Sequence, residues 1–204
     1  GHANSGFITI YEKTNSLPIF TKLSITNIPT GTVTDVAFSP NGEFLAVGHV
    51  NSSFITIYQR SNSSYTFTKI SGPVGSDIPT GTVNGVAWSP NGEYLATAHE
   101  NSSYVTVYKR SQTTFTKLSG QPYDVPAGAG QAVSFHPNGQ FLAVSHATSI
   151  FLTIYHLQND KLKRLPNPSI LPPSTVDRAE WSPDGQFLAL AHTNSSFVTI
   201  YQTP

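Results

Sequence analysis

The stretch FSPNGEFLAVGH at residues 38–49 decides the fold, because the chain repeats it at regular intervals. Its other copies are WSPNGEYLATAH at 88–99, FHPNGQFLAVSH at 135–146 and WSPDGQFLALAH at 181–192. A second motif, FITIY at 7–11, returns at 54–58, 104–108, 151–155 and 197–201 with small changes. Asn-Gly and Asp-Gly pairs favour tight hairpin turns, and runs of β-branched and aromatic residues favour strands. Each unit is therefore predicted to contain short antiparallel strands.

A period of 46–50 residues with four strands per unit is typical of a β-propeller blade. We predict an all-β fold: a β-propeller of four-stranded antiparallel blades, about four to five in number, with incomplete terminal blades. Neighbouring blades must stack, because one sheet cannot bury both faces alone. The whole chain, 1–204, is expected to be a single domain. Its units are approximately 1–30 (partial), 31–80, 81–128, 129–174 and 175–204 (partial).

The repeated motifs resemble the WD40 repeat, in which Ser-Pro-Asp-Gly precedes an apolar strand, a turn and a further strand. The resemblance covers nearly the whole chain, but Tyr11, Tyr58, Tyr108, Tyr155 and Tyr201 stand where that family has Trp. What the resemblance implies is a protein-interaction scaffold rather than an enzyme. Lactonase-type propellers have similar strand sequences, but they generally use more blades than this chain supplies.

Composition excludes several classes of function. The 204 residues carry 11 basic and 11 acidic side chains, so the chain lacks the basic excess of a nucleic-acid groove. No apolar run is long enough to cross a bilayer, and the absence of Cys excludes disulfides and thiolate metal sites. Low charge with many Ser, Thr and Asn residues suggests an extracellular or virion-surface location.

The number of predicted strands fits neither a four-bladed nor a five-bladed ring. Apolar terminal strands with unpaired backbone groups invite pairing with another chain. We therefore expect head-to-tail assembly of copies into a filament or fibre. The alternatives are a fragment of a longer chain and a self-contained ring. The residues expected to mediate strand exchange are Phe7, Ile8, Ile10, Tyr11, Phe197, Val198, Ile200 and Tyr201.

Two further sets of polar residues recur or break the repeat. One His per unit is expected to be buried and bonded to the following turn rather than to a metal: His2, His49, His99, His146 and His192. The last unit places unusual charges on the innermost strand, which lines the channel. The predicted channel polar cluster is Asp35, Asp177, Arg178 and Glu180, with Arg178 either paired with Asp35 or contacting a polar ligand.

Glycan chemistry enters at two places. Sequons at Asn51, Asn62, Asn101 and Asn194 are candidate glycosylation sites, although Asn and Ser also favour turns. Tyr65, Tyr94 and Tyr123 are candidates for stacking on sugars.

No motif for nucleophilic, metal-dependent or phosphate-binding catalysis occurs, so we predict no enzyme, no catalytic residues, no cofactor and no metal. The predicted function is a non-enzymatic structural or interaction propeller. Its expected partners are its own copies or other proteins, with glycans as a further candidate, and neither nucleic acid nor membrane insertion. The alternatives are a lectin-like carbohydrate-binding propeller, and a fragment of a larger WD40-like scaffold or propeller hydrolase.

Overall fold

The computed structural model describes residues 8–15, 17, 19–51, 53–61, 66–119, 124–194 and 197–203. Within these ranges the chain forms seventeen strands in five antiparallel sheets, with one 3-10 turn at Gly75–Asp77. The all-β propeller prediction is confirmed. No helix among the described residues is long and apolar enough to span a membrane. The division of the chain into repeat units stays a prediction.

The sheets follow one another in chain order. A two-stranded hairpin, β1–β2, comes first; three four-stranded sheets and one three-stranded sheet follow. In this order we name the last four sheets blade 1 (β3–β6), blade 2 (β7–β10), blade 3 (β11–β14) and blade 4 (β15–β17). The strands are β1 (Tyr11–Lys13), β2 (Phe20–Lys22), β3 (Val33–Phe38), β4 (Phe44–His49), β5 (Ile55–Arg60), β6 (Phe67–Ile70), β7 (Val83–Trp88), β8 (Tyr94–His99), β9 (Val105–Ser111), β10 (Thr114–Lys117), β11 (Gly130–Phe135), β12 (Phe141–His146), β13 (Leu152–Gln158), β14 (Lys161–Arg164), β15 (Val176–Trp181), β16 (Phe187–His192) and β17 (Val198–Gln202).

The Ser-Pro-Asn-Gly turn holds the first two strands of each blade in register. In blade 1, Ser39 Oγ donates to Asn41 Oδ1 at 2.7 Å and accepts from the backbone N–H of Phe44 at 2.9 Å. Gly42 adopts a φ of +67°, a left-handed conformation that glycine reaches without a steric penalty. The motif therefore specifies the hairpin as well as its position.

The first strands of successive blades contact one another, which makes them the innermost strands. Blades 1 and 2 are linked there by side chains that bond to backbone groups. Thr34 Oγ1 donates to the carbonyl of Val83, and Asp35 Oδ2 accepts from the N–H of Val86 at 2.9 Å. Trp88 Nε1 donates to the carbonyl of Ala37 at 3.1 Å. These bonds fix the position of each inner strand relative to the next.

The tyrosines that replace the Trp of the WD40 repeat bind the connectors between blades. Tyr58, Tyr108 and Tyr155 are completely buried. Each hydroxyl donates to a backbone carbonyl 31 residues earlier, at Asn27, Asp77 and Asp124 respectively, over 2.6–2.9 Å. Burial raises the pKa of Tyr58 to about 12 and that of Tyr108 further. The hydroxyl thus satisfies a connector carbonyl that would otherwise lack a partner.

The repeated histidines are buried and bonded within their own blades, as predicted. Each Nε2 lies 2.8–3.1 Å from a Thr hydroxyl on the third strand. His99 Nδ1 also lies 3.1 Å from the carbonyl of Asn101, in the following turn. Burial lowers the pKa of His99 to about 4, so this ring is neutral at physiological pH. His2 lies outside the described residues.

The first and last blades each leave an apolar face exposed. On blade 4, Phe197, Val198 and Ile200 are 57–67% exposed, and on blade 1 Val36 and Phe38 are also exposed. The other residues expected to mediate strand exchange have different surroundings. Ile10 is buried, Ile8 is half-buried, Tyr11 is exposed, and Tyr201 donates its hydroxyl to the carbonyl of Ile170 at 2.8 Å. Phe7 lies outside the described residues.

Candidate functional site

An inner cavity of about 340 Å³ is surrounded by the first strands of all four blades, β3, β7, β11 and β15. Much of its wall is backbone and small side chains such as Ala37, Ala87 and Ala132. Its polar side chains come from three different blades: Asp35, Ser134, Arg178 and Glu180. Three of the four residues of the predicted channel polar cluster therefore line one cavity.

Blade 4 supplies the charged pair because β15 alternates between buried and exposed residues. Val176, Ala179 and Trp181 are buried, whereas Arg178 and Glu180 are exposed to the cavity. Glu180 Oε2 lies 3.5 Å from Ser134 Oγ on the neighbouring blade. The site thus combines a guanidinium, a carboxylate and a hydroxyl on adjacent inner strands.

The predicted ion pair between Arg178 and Asp35 is wrong. Asp35 accepts from the N–H of Val86, while an Arg178 Nη1 donates to the carbonyl of Asp177 at 3.4 Å. Across the described part of the chain, the ion pairs within 4.0 Å all involve Lys109. Asp35 is a blade-to-blade link, so the Arg178 guanidinium is left available to the cavity. Asp177 is the extra residue of a β-bulge between Val176 and Arg178.

A second cavity, of about 550 Å³, lies in the groove between blades 3 and 4, where sequence reasoning predicted no site. His136 stands where the other units have Ser, and it packs edge-on against Trp181 with ring centroids 4.8 Å apart. Its Nδ1 accepts from the N–H of Asn138 at 3.1 Å and its Nε2 donates to the carbonyl of Gly185 at 3.0 Å. That pair of bonds assigns a neutral ring with the proton on Nε2. The replacement of Ser by His was the signal in the sequence.

Tyr94 is not a free platform for a sugar. Its hydroxyl donates to Asp160 Oδ1 at 2.6 Å, and Lys109 Nζ lies 2.8 Å from Asp160 Oδ2 and 3.3 Å from Glu93. Burial, followed by the bond to Asp160, raises the pKa of Tyr94 to about 12. This cluster links blade 2 to the last hairpin of blade 3. Tyr65 and Tyr123 lie outside the described residues.

The sequon residues lie at exposed turns. Asn51 Nδ2 donates to the carbonyl of Thr30 at 2.9 Å, and Asn101 Nδ2 makes the equivalent bond to Thr80 at 2.5 Å. These bonds support a role in the turn, while glycosylation at Asn51, Asn101 and Asn194 stays a prediction. Asn62 lies outside the described residues. The described ranges contain no cluster of three His, Asp or Glu side chains that could hold a metal ion.

Comparison with known proteins gives two family matches. The family described as "Lactonase, 7-bladed beta-propeller" matches residues 86–203, and "WD domain, G-beta repeat" matches residues 22–55. The chain therefore belongs to the lactonase family of seven-bladed β-propellers. Its WD40-like repeat is confirmed by the second match. No curated protein matches the sequence.

Solved structures support the fold. A protein from Bacteroides uniformis assigned as a 6-phosphogluconolactonase has a TM-score of 0.74 and 16% identity, over 96% of this chain and 60% of that one. A protein from Lactobacillus plantarum has a TM-score of 0.72 and 18% identity over the same shares. A chain of the mitotic checkpoint complex has a TM-score of 0.66 and 17% identity, over 90% of this chain and 54% of that one. This type of propeller therefore also occurs within protein assemblies. The chain spans about 60% of the first two structures' length.

These matches correct the functional prediction. A non-enzymatic propeller forming filaments is contradicted by the lactonase family and by the 6-phosphogluconolactonase neighbour, which point to a hydrolase. The prediction of no enzyme is wrong for the same reason. It relied on the small number of blades, but the chain spans only part of the length of the propellers it matches.

Proposed function

We propose that this chain is part of a propeller hydrolase that opens lactones, and that Arg178 and Glu180 carry the chemistry. The observation that carries the proposal is the placement of this charged pair in the inner cavity of a chain from the lactonase family. Substrates of the 6-phosphogluconolactonase class, which are anionic sugar lactones, are the first candidates. A guanidinium suits them because it binds anionic oxygens with several N–H donors at once.

Hydrolysis of a lactone needs a base for water and a cation for the developing oxyanion. Glu180 would remove a proton from water as the water oxygen bonds to the carbonyl carbon. Arg178 would stabilise the negative charge that appears on the carbonyl oxygen. The carbon–oxygen bond of the ring then breaks, and Glu180 returns the proton to the ring oxygen. The products are a carboxylate and a free hydroxyl, with the second proton of the attacking water released.

Ser134 is the proposed positioning residue for Glu180. Its hydroxyl lies 3.5 Å from Glu180 Oε2, and the residue is itself buried. A hydroxyl in this place restricts the carboxylate to the side of the cavity that faces blade 3. Asp35 serves the architecture instead, since it holds the N–H of Val86.

We further infer that the exposed faces of blades 1 and 4 pack against additional propeller blades. Phe187, Ala189 and Ile200 of blade 4 are exposed and line an apolar cavity of about 510 Å³ together with Trp181 and Pro183. On blade 1 the equivalent Phe44 is buried against Trp88 and Phe115 of blade 2. An adjoining blade with an aromatic side chain in that position would cover the surface in the same way. The extracellular or virion-surface location stays a prediction.

The test is hydrolysis by the complete protein that contains this chain, followed by acid release at constant pH. The substrates are δ-gluconolactone and 6-phosphogluconolactone. Glu180→Gln and Arg178→Met are each expected to lower kcat/KM by about 100-fold or more, as is typical when a general base or an oxyanion partner is removed. Glu43→Gln, a matched change in the blade 1 turn, should leave the rate unchanged. Equal rates in Glu180→Gln and wild-type protein would refute the proposed role of Glu180.

A further inference from the structure

The groove between blades 3 and 4 lacks a cation that its counterpart contains. In the groove between blades 1 and 2, the Arg110 guanidinium carbon lies 5.0 Å from the centre of the Phe44 ring. Arg110 Nε also donates to the carbonyl of Gly92 at 2.9 Å. An arginine over an aromatic face is an attractive cation–π contact. The repeat therefore contains a built example of guanidinium binding.

Backbone bonds establish which residue takes the place of Arg110 in blade 4. The N–H of Arg110 donates to the carbonyl of Glu93, and the N–H of Thr203 makes the equivalent bond to Gln186. The third residue of the set, Leu157, bonds in the same way to Gln140. Thr203 Oγ1 even reaches the carbonyl of Gly185 at 2.9 Å, the equivalent of Gly92. Threonine is shorter than arginine, so it leaves the guanidinium position unfilled.

The space left is the 550 Å³ cavity, and its lining suits a planar cation. Phe141 takes the place of Phe44, and Trp181 and His136 add two further rings. Ile154 and Leu165 supply an apolar wall for an alkyl stem. Aromatic faces attract cations, and a guanidinium is hydrated weakly enough to leave water for such a surface.

One carboxylate lies at this cavity where the other units have a neutral residue. Asp184 replaces the Asn41, Asn91 and Asn138 of the preceding turns. Its Oδ1 accepts from Ser182 Oγ at 2.6 Å and from the N–H of Gln186 at 3.0 Å. These bonds, that from Ser182 first, hold the pKa of Asp184 below its usual value, so the group is ionised. Among the described residues, Oδ2 has no hydrogen-bond partner.

We propose that the cavity between blades 3 and 4 binds a guanidinium group, supplied either by a small guanidinium compound or by an arginine side chain of a peptide. The group would lie over Phe141 in the position that Arg110 occupies in its own groove, with Asp184 as its counter-ion. The proposal does not depend on lactone hydrolysis, because none of its residues lines the inner cavity.

The two tryptophans provide a test with an internal control. Trp181 lines the cavity, whereas Trp88 occupies the equivalent place in the groove that Arg110 already fills. In a ¹H–¹⁵N spectrum, titration with ethylguanidinium should shift the indole signal of Trp181 and leave that of Trp88 unchanged. A blocked Gly-Arg-Gly peptide separates the two sources: tighter binding than ethylguanidinium indicates a peptide side chain, and equal binding indicates a small compound. A Gly-citrulline-Gly peptide, which is neutral but has the same shape, should not bind.

Two variants restore what the other units contain. Thr203→Arg should place a guanidinium in the cavity and abolish the titration, and thermal unfolding will establish that the variant is folded. Asp184→Asn should weaken binding by about threefold to tenfold, the range for a partly exposed charge pair, and should leave lactone hydrolysis unchanged. Equal binding of the arginine and citrulline peptides would overturn the proposal, as would an undiminished titration in a folded Thr203→Arg protein.

Discussion

Acidification tests the buried histidines, and His99 gives the largest expected effect. This ring is completely buried, with Nε2 2.9 Å from Thr106 Oγ1, and burial lowers its pKa from 6.5 to about 4. In the unfolded chain the imidazole binds a proton near its ordinary pKa, so below pH 6.5 the unfolded state binds more protons than the folded state. Stability is therefore fully present above pH 6.5 and is lost as the pH falls towards 4.

The difference between a pKa of 6.5 and one of about 4 corresponds to about 3 kcal/mol in the free energy of unfolding. His49 and His146, whose pKa values are also lowered by burial, add to the loss in the same direction. Urea unfolding at pH 7.5, 6.5, 5.5 and 4.5 should show most of this decrease by the last point. The variant His99→Gln should start less stable at pH 7.5 and then lose about 3 kcal/mol less than wild-type protein over the whole interval.

The control for this experiment is Tyr108→Phe, which removes a buried hydroxyl without changing any group that titrates in this range. It should lower the free energy of unfolding by the same amount at every pH. If His99→Gln shows the same pH dependence as wild-type protein, His99 is not kept neutral by the fold and the argument fails.

Three other outcomes are expected. Tyr108→Phe should cost about 1–3 kcal/mol of stability, because the carbonyl of Asp77 loses its buried partner, whereas Tyr201→Phe in the partly exposed last blade should cost less; urea unfolding compares the two. Asp160→Asn removes the ion pair of Lys109, whose side chains are more than 40% exposed, so its unfolding free energy should fall by about 1 kcal/mol or less. Intact mass of protein from its native source should equal the sequence mass if Asn101 and its equivalents act only as turn residues; added hexosamine would contradict that role.

Much of the fold was predictable because its signals are local. The Ser-Pro-Asn-Gly turn dictates a hairpin by itself, and its fixed distance from the FITIY motif gives the order of the strands. The burial of His99 and its equivalents followed from one imidazole per unit, since rings on separate blades cannot converge on one metal ion. The partner that each ring bonds, a Thr hydroxyl seven residues later, was not predicted.

The site was only partly predictable because its groups come from different strands. Arg178 and Glu180 were visible as charges where other units have small residues, but the partner of Arg178 depended on how the sheets are arranged in space. Asp35 turned out to bond the next blade, which no spacing along the chain indicates. The enzyme class was missed since side chains gathered one blade at a time leave no contiguous catalytic motif. The cavity beside Phe141 was missed because it results from a small residue, Thr203, at a position whose partner lies on another sheet.

The most direct test of the proposed hydrolase is a crystal structure of the complete protein with a δ-lactam, which resembles a lactone and resists hydrolysis. The account predicts that the lactam lies in the inner cavity, with its carbonyl oxygen within hydrogen-bonding distance of the Arg178 guanidinium and its carbonyl carbon facing Glu180. A lactam bound elsewhere in the protein, with the inner cavity holding only water, would contradict the account.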